Sequence, residues 1–133
     1  MQNLFPKLFF FTCLIFSNLS LLFSQEGVVL NGQASYYHDK FDGRMTASGE
    51  VFDQNGMTCA HKTLDFGTIL KITNLENNLS VTVRVNDRGP FVEGRIVDLT
   101  KAAAQKIGLY EMGVCNAKVE IISINDQIAS LPP

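Results

Sequence analysis

Two β-rich runs, residues 68–73 and 79–85, flank a turn that holds Asn74, Asn77 and Asn78. In the second run Val81, Val83 and Val85 alternate with Thr82 and Arg84, so one face is apolar and the other polar. That pattern predicts a hairpin with one buried face. The run leads directly into Asn86-Asp87-Arg88-Gly89-Pro90-Phe91. An acid, a base, a Gly-Pro pair and an aromatic ring therefore stand at the end of a strand. A carboxylate fixed at the rim of a rigid sheet can move protons.

Other segments repeat the short-strand character. Residues 33–37 and 56–60 are strand candidates, residues 38–44 a Gly- and Asp-containing loop, and residues 25–31 a lead-in. Residues 94–99 form an apolar strand candidate, and residues 118–123 a last strand. Thr100 is placed to N-cap a helix over 101–107, with three alanines inside and Gly108 at its C-terminal side. Many short strands and one firm helix predict a mainly β domain, most simply closed into a small barrel with its polar residues on loops.

Residues 1–24 do not share this pattern. Lys7 precedes a short apolar centre, and small residues follow near Ser24, as in a secretory signal peptide. The barrel domain is then expected over 27–124 and a loose tail over 125–133. Thr12 and Phe10 make a poor lipid-attachment motif around Cys13, so a lipid anchor is not expected, nor a stable membrane span after cleavage.

The formal net charge is −2, and loss of Lys7 with the leader makes it more negative. No basic face is left for a nucleic acid. Cys59 and Cys115 remain, and export would permit a disulfide between them. Buried thiols are the alternative. Cys59 and His61 share a strand face, but no orienting motif supports a thiolate pair. Cysteine and histidine spacing gives no zinc motif.

Candidate site residues each carry a bland alternative. Asp87 is the leading general acid, or else a turn residue. Glu50 follows Ser48-Gly49 and is a second carboxylate, or else a solvated loop residue. His61 ends a strand and could set a carboxylate's charge, or else bond backbone. Asp98, inside the apolar run Val97-Asp98-Leu99, is either a second acid or a structural partner, for example of the following helix N-terminus. Tyr36, Tyr37, Phe41 and Phe91 offer aromatic faces for sugar rings, or else pack in the core. Arg88 adjoins Asp87 and is a further substrate-binding candidate.

Taken in order, Gly32-Gln33-Ala34-Ser35-Tyr36-Tyr37, Met45-Thr46-Ala47-Ser48-Gly49-Glu50, Thr58-Cys59-Ala60-His61-Lys62-Thr63-Leu64, Asn86-Asp87-Arg88-Gly89-Pro90-Phe91 and Arg95-Ile96-Val97-Asp98-Leu99 strongly resemble the rare lipoprotein A (RlpA) family. The resemblance runs from about Gly32 to Ile122. It implies a six-stranded double-psi β-barrel with one or two short helices. It also implies an endolytic lytic transglycosylase, a carbon–oxygen lyase acting on peptidoglycan glycan strands poor in stem peptides.

Under that resemblance Asp87 is the essential acid, with Glu50 and His61 at the other active-site positions. No metal or cofactor is implied. The expected partner is peptidoglycan, a monomer is expected, and the periplasm or cell envelope is the expected location. Three departures from the family pattern are expected: the poor lipid-attachment motif, Cys59 where a small residue is usual, and the lack of a sporulation-related glycan-binding domain. A non-catalytic, expansin-like module that binds or loosens wall glycan is therefore the alternative reading.

Overall fold

The computed structural model describes residues 27–123. The expected leader, residues 1–24, and the tail, 125–133, lie outside them. Six strands are present: β1 (Val29–Tyr36), β2 (Thr58–Ala60), β3 (Ile69–Asn74), β4 (Ser80–Asp87), β5 (Arg95–Leu99) and β6 (Cys115–Ser123). Two short helices, α1 (Lys101–Lys106) and α2 (Leu109–Met112), stand between β5 and β6, and a 3-10 turn spans Asp39–Phe41.

The strands close into a barrel in the order β1-β5-β2-β4-β3-β6. The pairs β1/β5 and β2/β4 are parallel, and the other pairings are antiparallel. This is the expected double-psi architecture. Closure leaves no free sheet edge, so loops at the mouth stand on a stiff base.

The alternation in β4 does what the sequence pattern requires. Val81, Val83 and Val85 point into the core with Leu70, Ile72, Val97, Leu99, Val119 and Ile121. Arg84 is left on the outer wall. Each such aliphatic side chain contributes roughly 1.5–3 kcal/mol on burial. Ala103, Ala104, Ile107 and Leu109 of the helical segment are also fully buried against this core.

Two local details fix the geometry. Gly32 in β1 lies so close to β5 that a Cβ there would meet Ile96 at 2.6 Å. The helix cap is as expected: Thr100 accepts from the Ala103 N–H, and Gly108 has φ +70 beyond the C-cap Ile107. The Asn-rich turn contributes to that end, since Asn74 and Asn77 both donate to the Ile107 carbonyl, at 2.8 and 2.9 Å.

The sequence reading placed some boundaries differently. The first strand begins at Val29 rather than Gln33, because residues 29–34 pair with β6, and the last strand correspondingly starts at Cys115 rather than Lys118. These ends are held by long-range pairing and carry little local alternation. Cys59 and Cys115 are buried free thiols. They sit on β2 and β6, which face each other across the ring of strands and are not neighbours, and of the two readings the buried core thiols hold rather than the disulfide. Burial raises both, Cys59 most and Cys115 to about 11, so no thiolate pair forms between Cys59 and His61.

Candidate active site

Asp87 is the last residue of β4 and is half-buried at the barrel mouth. Its Oδ1 accepts the backbone N–H groups of Ala47 and Arg88, each at 2.9 Å. Its Oδ2 accepts the hydroxyl of Tyr37. An ionised carboxylate offers about four lone-pair sites. Three are filled by the protein, and the remaining one is on Oδ2, where a proton can be exchanged with a bound molecule.

Tyr37 is the first residue beyond β1, and its ring packs on Phe52 at 4.4 Å and against Phe41 edge-on at 5.9 Å. Burial, then the Asp87 bond and charge, push its hydroxyl far above the ordinary tyrosine range, so it stays a donor. Gln54, almost fully buried, ties the carbonyl of Tyr37 to the start of α1: its Nε2 donates to Tyr37 O at 3.0 Å and its Oε1 accepts from the Lys101 N–H at 2.8 Å. The sequence reading gave Tyr37 a sugar-stacking role and did not single out Gln54. A hydroxyl one residue past a strand carries no sign of the carboxylate it will meet 50 positions away.

The two other acids lie on either side. Asp98 in β5 and Asp87 in β4 are both register partners of Ala60 in β2. Their backbones are thus two strand spacings apart, roughly 10 Å. Asp98 accepts from the Ser35 hydroxyl of β1 and not from the helix N-terminus, which Thr100 caps instead. Burial raises its carboxyl above the usual range; Ser35 and Arg95 oppose this, and the Asp87 charge adds to it.

Glu50 faces the outer wall of β4. Arg84 Nη1 and Nη2 donate to its two carboxylate oxygens at 2.5 and 2.8 Å, and Asn86 Nδ2 donates to Oε2 at 3.2 Å. The Arg84 hydrogen bonds hold Glu50 below the ordinary glutamate value, with burial opposing and the Asn86 bond and Arg84 charge adding to the lowering. A register shift in the β2/β4 pairing leaves Asn86 as the extra residue between Val85 and Asp87. Its carbonyl accepts the Ser48 N–H at 3.3 Å. The segment carrying Ala47 is thereby fastened to β4 at Arg84 and Asn86, just before the acid.

His61 follows β2 directly, and its N–H donates to the Asp87 carbonyl at 3.1 Å. Its Nδ1 accepts from the Thr63 and Leu64 N–H groups, both at 3.1 Å, which puts the proton of the neutral ring on Nε2. Burial, then Arg88 and Lys62, lower it below the ordinary histidine value. Arg88 turns its guanidinium away from the Asp87 carboxylate. It donates to the carbonyls of Leu64 and His61, at 2.7 and 3.2 Å, and lies 4.0 Å over the Phe66 ring.

Asp87, Tyr37, His61, Glu50 and Asp98 are therefore gathered around one end of β2 and β4. Phe91 is 84 % exposed just beyond the Gly89-Pro90 peptide, which is cis. Tyr36 is not part of this group. It alternates away from Tyr37, donates to the Tyr110 carbonyl at 3.1 Å and packs on the Tyr110 ring. A cavity of about 370 Å³ opens on the outer wall at Glu50, Arg84 and Asn86, and Asp87 does not line it. Among the described residues, no three His, Cys, Asp or Glu side chains cluster as a metal cage would require.

Residues 29–121, nearly the whole barrel, match the family described as lytic transglycolase. The chain belongs to the lytic transglycolase family. This lytic transglycolase domain is 52 % identical over 101 residues to the endolytic peptidoglycan transglycosylase RlpA of Pasteurella multocida, covering 76 % of this chain and 34 % of that protein. It is also 52 % identical over 96 residues to the protein of the same name from Campylobacter jejuni, covering 72 % and 35 %. The chain thus spans about a third of the length of these curated relatives.

Among solved structures, a Streptomyces papain inhibitor superposes with a TM-score of 0.60 at 20 % identity, covering 74 % of this chain and 97 % of that one. An apo Clavibacter michiganensis expansin gives 0.58 at 20 % identity, covering 72 % and 51 %. At such identity the likeness is one of fold alone.

Proposed function

We propose that this lytic transglycolase domain cleaves the glycan strands of peptidoglycan without water, leaving 1,6-anhydro-muramyl ends, with Asp87 as the acid and base. The observation that carries this reading is the single open lone pair on Asp87 Oδ2, in a carboxylate otherwise held by Tyr37, Ala47 and Arg88. A hydrolase needs a second carboxylate to activate water. An intramolecular nucleophile does not, so one well-positioned carboxyl can serve both steps.

In the first step the Asp87 carboxyl gives its proton to the glycosidic oxygen linking muramyl C1 to the next sugar, and that C–O bond breaks. In the second the carboxylate accepts the proton of the muramyl C6 hydroxyl. The C6 oxygen bonds to C1, and the carboxyl is regenerated in its starting form. Tyr37 fixes the carboxylate rotamer and leaves Oδ2 facing the substrate. His61, neutral with its proton on Nε2, can donate to a sugar oxygen. Glu50 holds the Ala47 segment through Arg84 and Asn86. Phe91 presents an exposed ring on which a sugar face can lie.

Asp98 is the remaining carboxyl of the group. Its hydrogen bond to Ser35 and its coupling to Asp87 support a supporting electrostatic role. A leader over residues 1–24 would export the protein to the periplasm or envelope, where it acts as a monomer on strands stripped of stem peptides.

The test is incubation of the purified mature protein with peptide-free glycan strands, followed by mass spectrometry of the ends. Anhydro-muramyl termini are expected. New reducing ends would mean hydrolysis, and tight sacculus binding with no new ends would mean a wall-loosening module.

A further inference from the structure

Gln54 lies between the short bridge of Met45 with Val51 and the start of β2, and it is almost fully buried. A buried amide must find partners for its polar groups. The backbone N–H of Gln54 donates to Asp42 Oδ1 at 2.9 Å, and its carbonyl accepts the Ala102 N–H at 3.0 Å. Its Nε2 donates to the Tyr37 carbonyl at 3.0 Å and to Asp39 Oδ1 at 3.2 Å, and its Oε1 accepts the Lys101 N–H at 2.8 Å. These partners fix the orientation of the amide. Reversed, it would set its oxygen against a carbonyl and a carboxylate. One residue thus joins the loop 37–42, the approach to β2 and the start of α1.

Of these, α1 is firmly anchored: Ala103 and Ala104 are buried in the core, and Thr100 caps the first turn. Residues 37–42 belong to no strand, and Asp39, Lys40 and Asp42 are exposed. At the start of this loop the Tyr37 N–H donates to the Leu99 carbonyl at 3.0 Å. The Tyr37 carbonyl, and with it the direction in which the chain leaves β1, is set by Gln54. The Tyr37 ring rests on Phe52, two residues before Gln54. The stretch 52–54 therefore supports both the ring and the main chain of Tyr37. The far end of that ring is the hydroxyl that donates to Asp87 Oδ2. A misplacement of about 1 Å in such a group can cost roughly a hundredfold in rate.

We infer that Gln54 is a positioning residue for the proton transfer: by tying the Tyr37 main chain to the buried start of α1, it holds the Tyr37 hydroxyl on Asp87 Oδ2 and keeps the other lone pair of that oxygen open to substrate. The inference rests on the proposed role of Asp87, and it gives the reaction a residue that does not itself touch the acid. A glutamine serving stability alone would lower activity whether or not Tyr37 keeps its hydroxyl. One that acts through Tyr37 has little left to lose once that hydroxyl is gone.

The test is a double-mutant cycle on the purified protein. Gln54→Met keeps the side-chain length and removes the amide. It is compared with wild type, Tyr37→Phe and the double variant for release of anhydro-muramyl ends from peptide-free glycan strands. Gln54→Met is expected to lower kcat about tenfold with KM within about twofold of wild type, and to lower kcat by less than about twofold in the Tyr37→Phe background. The carbon-13 NMR signal of Tyr37 Cζ, read without substrate, should move in Gln54→Met. Losses that add, a change confined to KM, or full activity of Gln54→Met overturns the positioning role. If Gln54→Met does not fold, Gln54→Glu decides. It keeps the acceptor for the Lys101 N–H and regains a donor to the Tyr37 carbonyl only when its own carboxyl is protonated. Its turnover relative to wild type should therefore rise as the pH is lowered from about 7 to about 5. A flat ratio, or failure of this variant to fold as well, overturns the positioning role. No anhydro ends from wild type would overturn the proposed reaction and with it the catalytic purpose of this contact. An unmoved Tyr37 signal in a series whose wild type cleaves would overturn the positioning role alone.

Discussion

Arg84 and Glu50 meet on the outer wall of β4 through two hydrogen bonds, of 2.5 and 2.8 Å, and so fasten the segment that carries Ala47. Both side chains are over a third exposed, 35 % and 43 %, and solvent screening limits their worth to about 1 kcal/mol or less. The pair therefore matters more for position than for stability.

Arg84→Met is expected to cost no more than about 1 kcal/mol in denaturant unfolding at pH 7 and to lower activity by a larger factor. Glu50 is held below the ordinary glutamate value, so the stability it contributes is present above its unfolded value, about 4.3, and is lost as pH falls through the lower folded value. Unfolding curves of wild type and variant should differ at pH 7 and draw together as the pH falls through the lowered folded value. Equal activity of the two proteins would remove the positioning role.

Tyr37→Phe removes one donor to Asp87 and keeps the ring packing on Phe52 and Phe41. Stability should change by about 1 kcal/mol. The turnover rate should fall roughly ten- to a hundredfold, as for other positioned hydrogen bonds to a reacting group. KM should stay close to that of wild type. A change in KM alone would return Tyr37 to simple sugar stacking.

His61 is lowered by burial, then by Arg88 and Lys62, so the folded protein prefers the neutral ring. Below about pH 6.5 the unfolded chain binds the proton first, and stability falls as pH drops towards the folded value. Thermal melts at pH 7.5 and 5.5 should show this loss in wild type and less of it in His61→Gln. That variant is also expected to lose most of its glycan-cleaving activity.

Asp98 has the opposite sign. Burial raises its folded value above the unfolded one, about 3.9, so its contribution is fully present below that pH and is lost as pH rises through the folded value. Asp98→Asn keeps an acceptor for Ser35 and should melt higher than wild type at pH 7 but not at pH 3.5. A fall in activity alongside that gain would assign Asp98 a part in tuning the site.

The barrel was legible because its strands are short and alternate cleanly, as in Val81, Val83 and Val85, and because Thr100 and Gly108 mark both ends of one helix. The ends of β1 and β6 were not, since residues 29–32 pair with 117–120, and residues 115–117 with 32–34, through contacts far apart in the sequence. Asp87, Glu50 and His61 were visible as ordered motifs. Their partners were not. The Arg84 fork, the Tyr37 hydroxyl and the Gln54 bridge each act across many positions in the chain, and only closure of the barrel brings them to the acid. Arg88 shows the converse. Beside Asp87 in sequence, it uses its guanidinium to hold the 61–66 loop.

The central claim is that one carboxyl, Asp87, moves the proton in both directions. Wild type and Asp87→Asn, matched for melting temperature, should be given the same peptide-free glycan strands and the released ends counted by mass spectrometry. The account predicts 1,6-anhydro-muramyl ends from wild type and a loss of at least about a thousandfold with Asp87→Asn, within the range by which removal of a general acid–base group slows a reaction. Anhydro ends released by Asp87→Asn at the wild-type rate would contradict it.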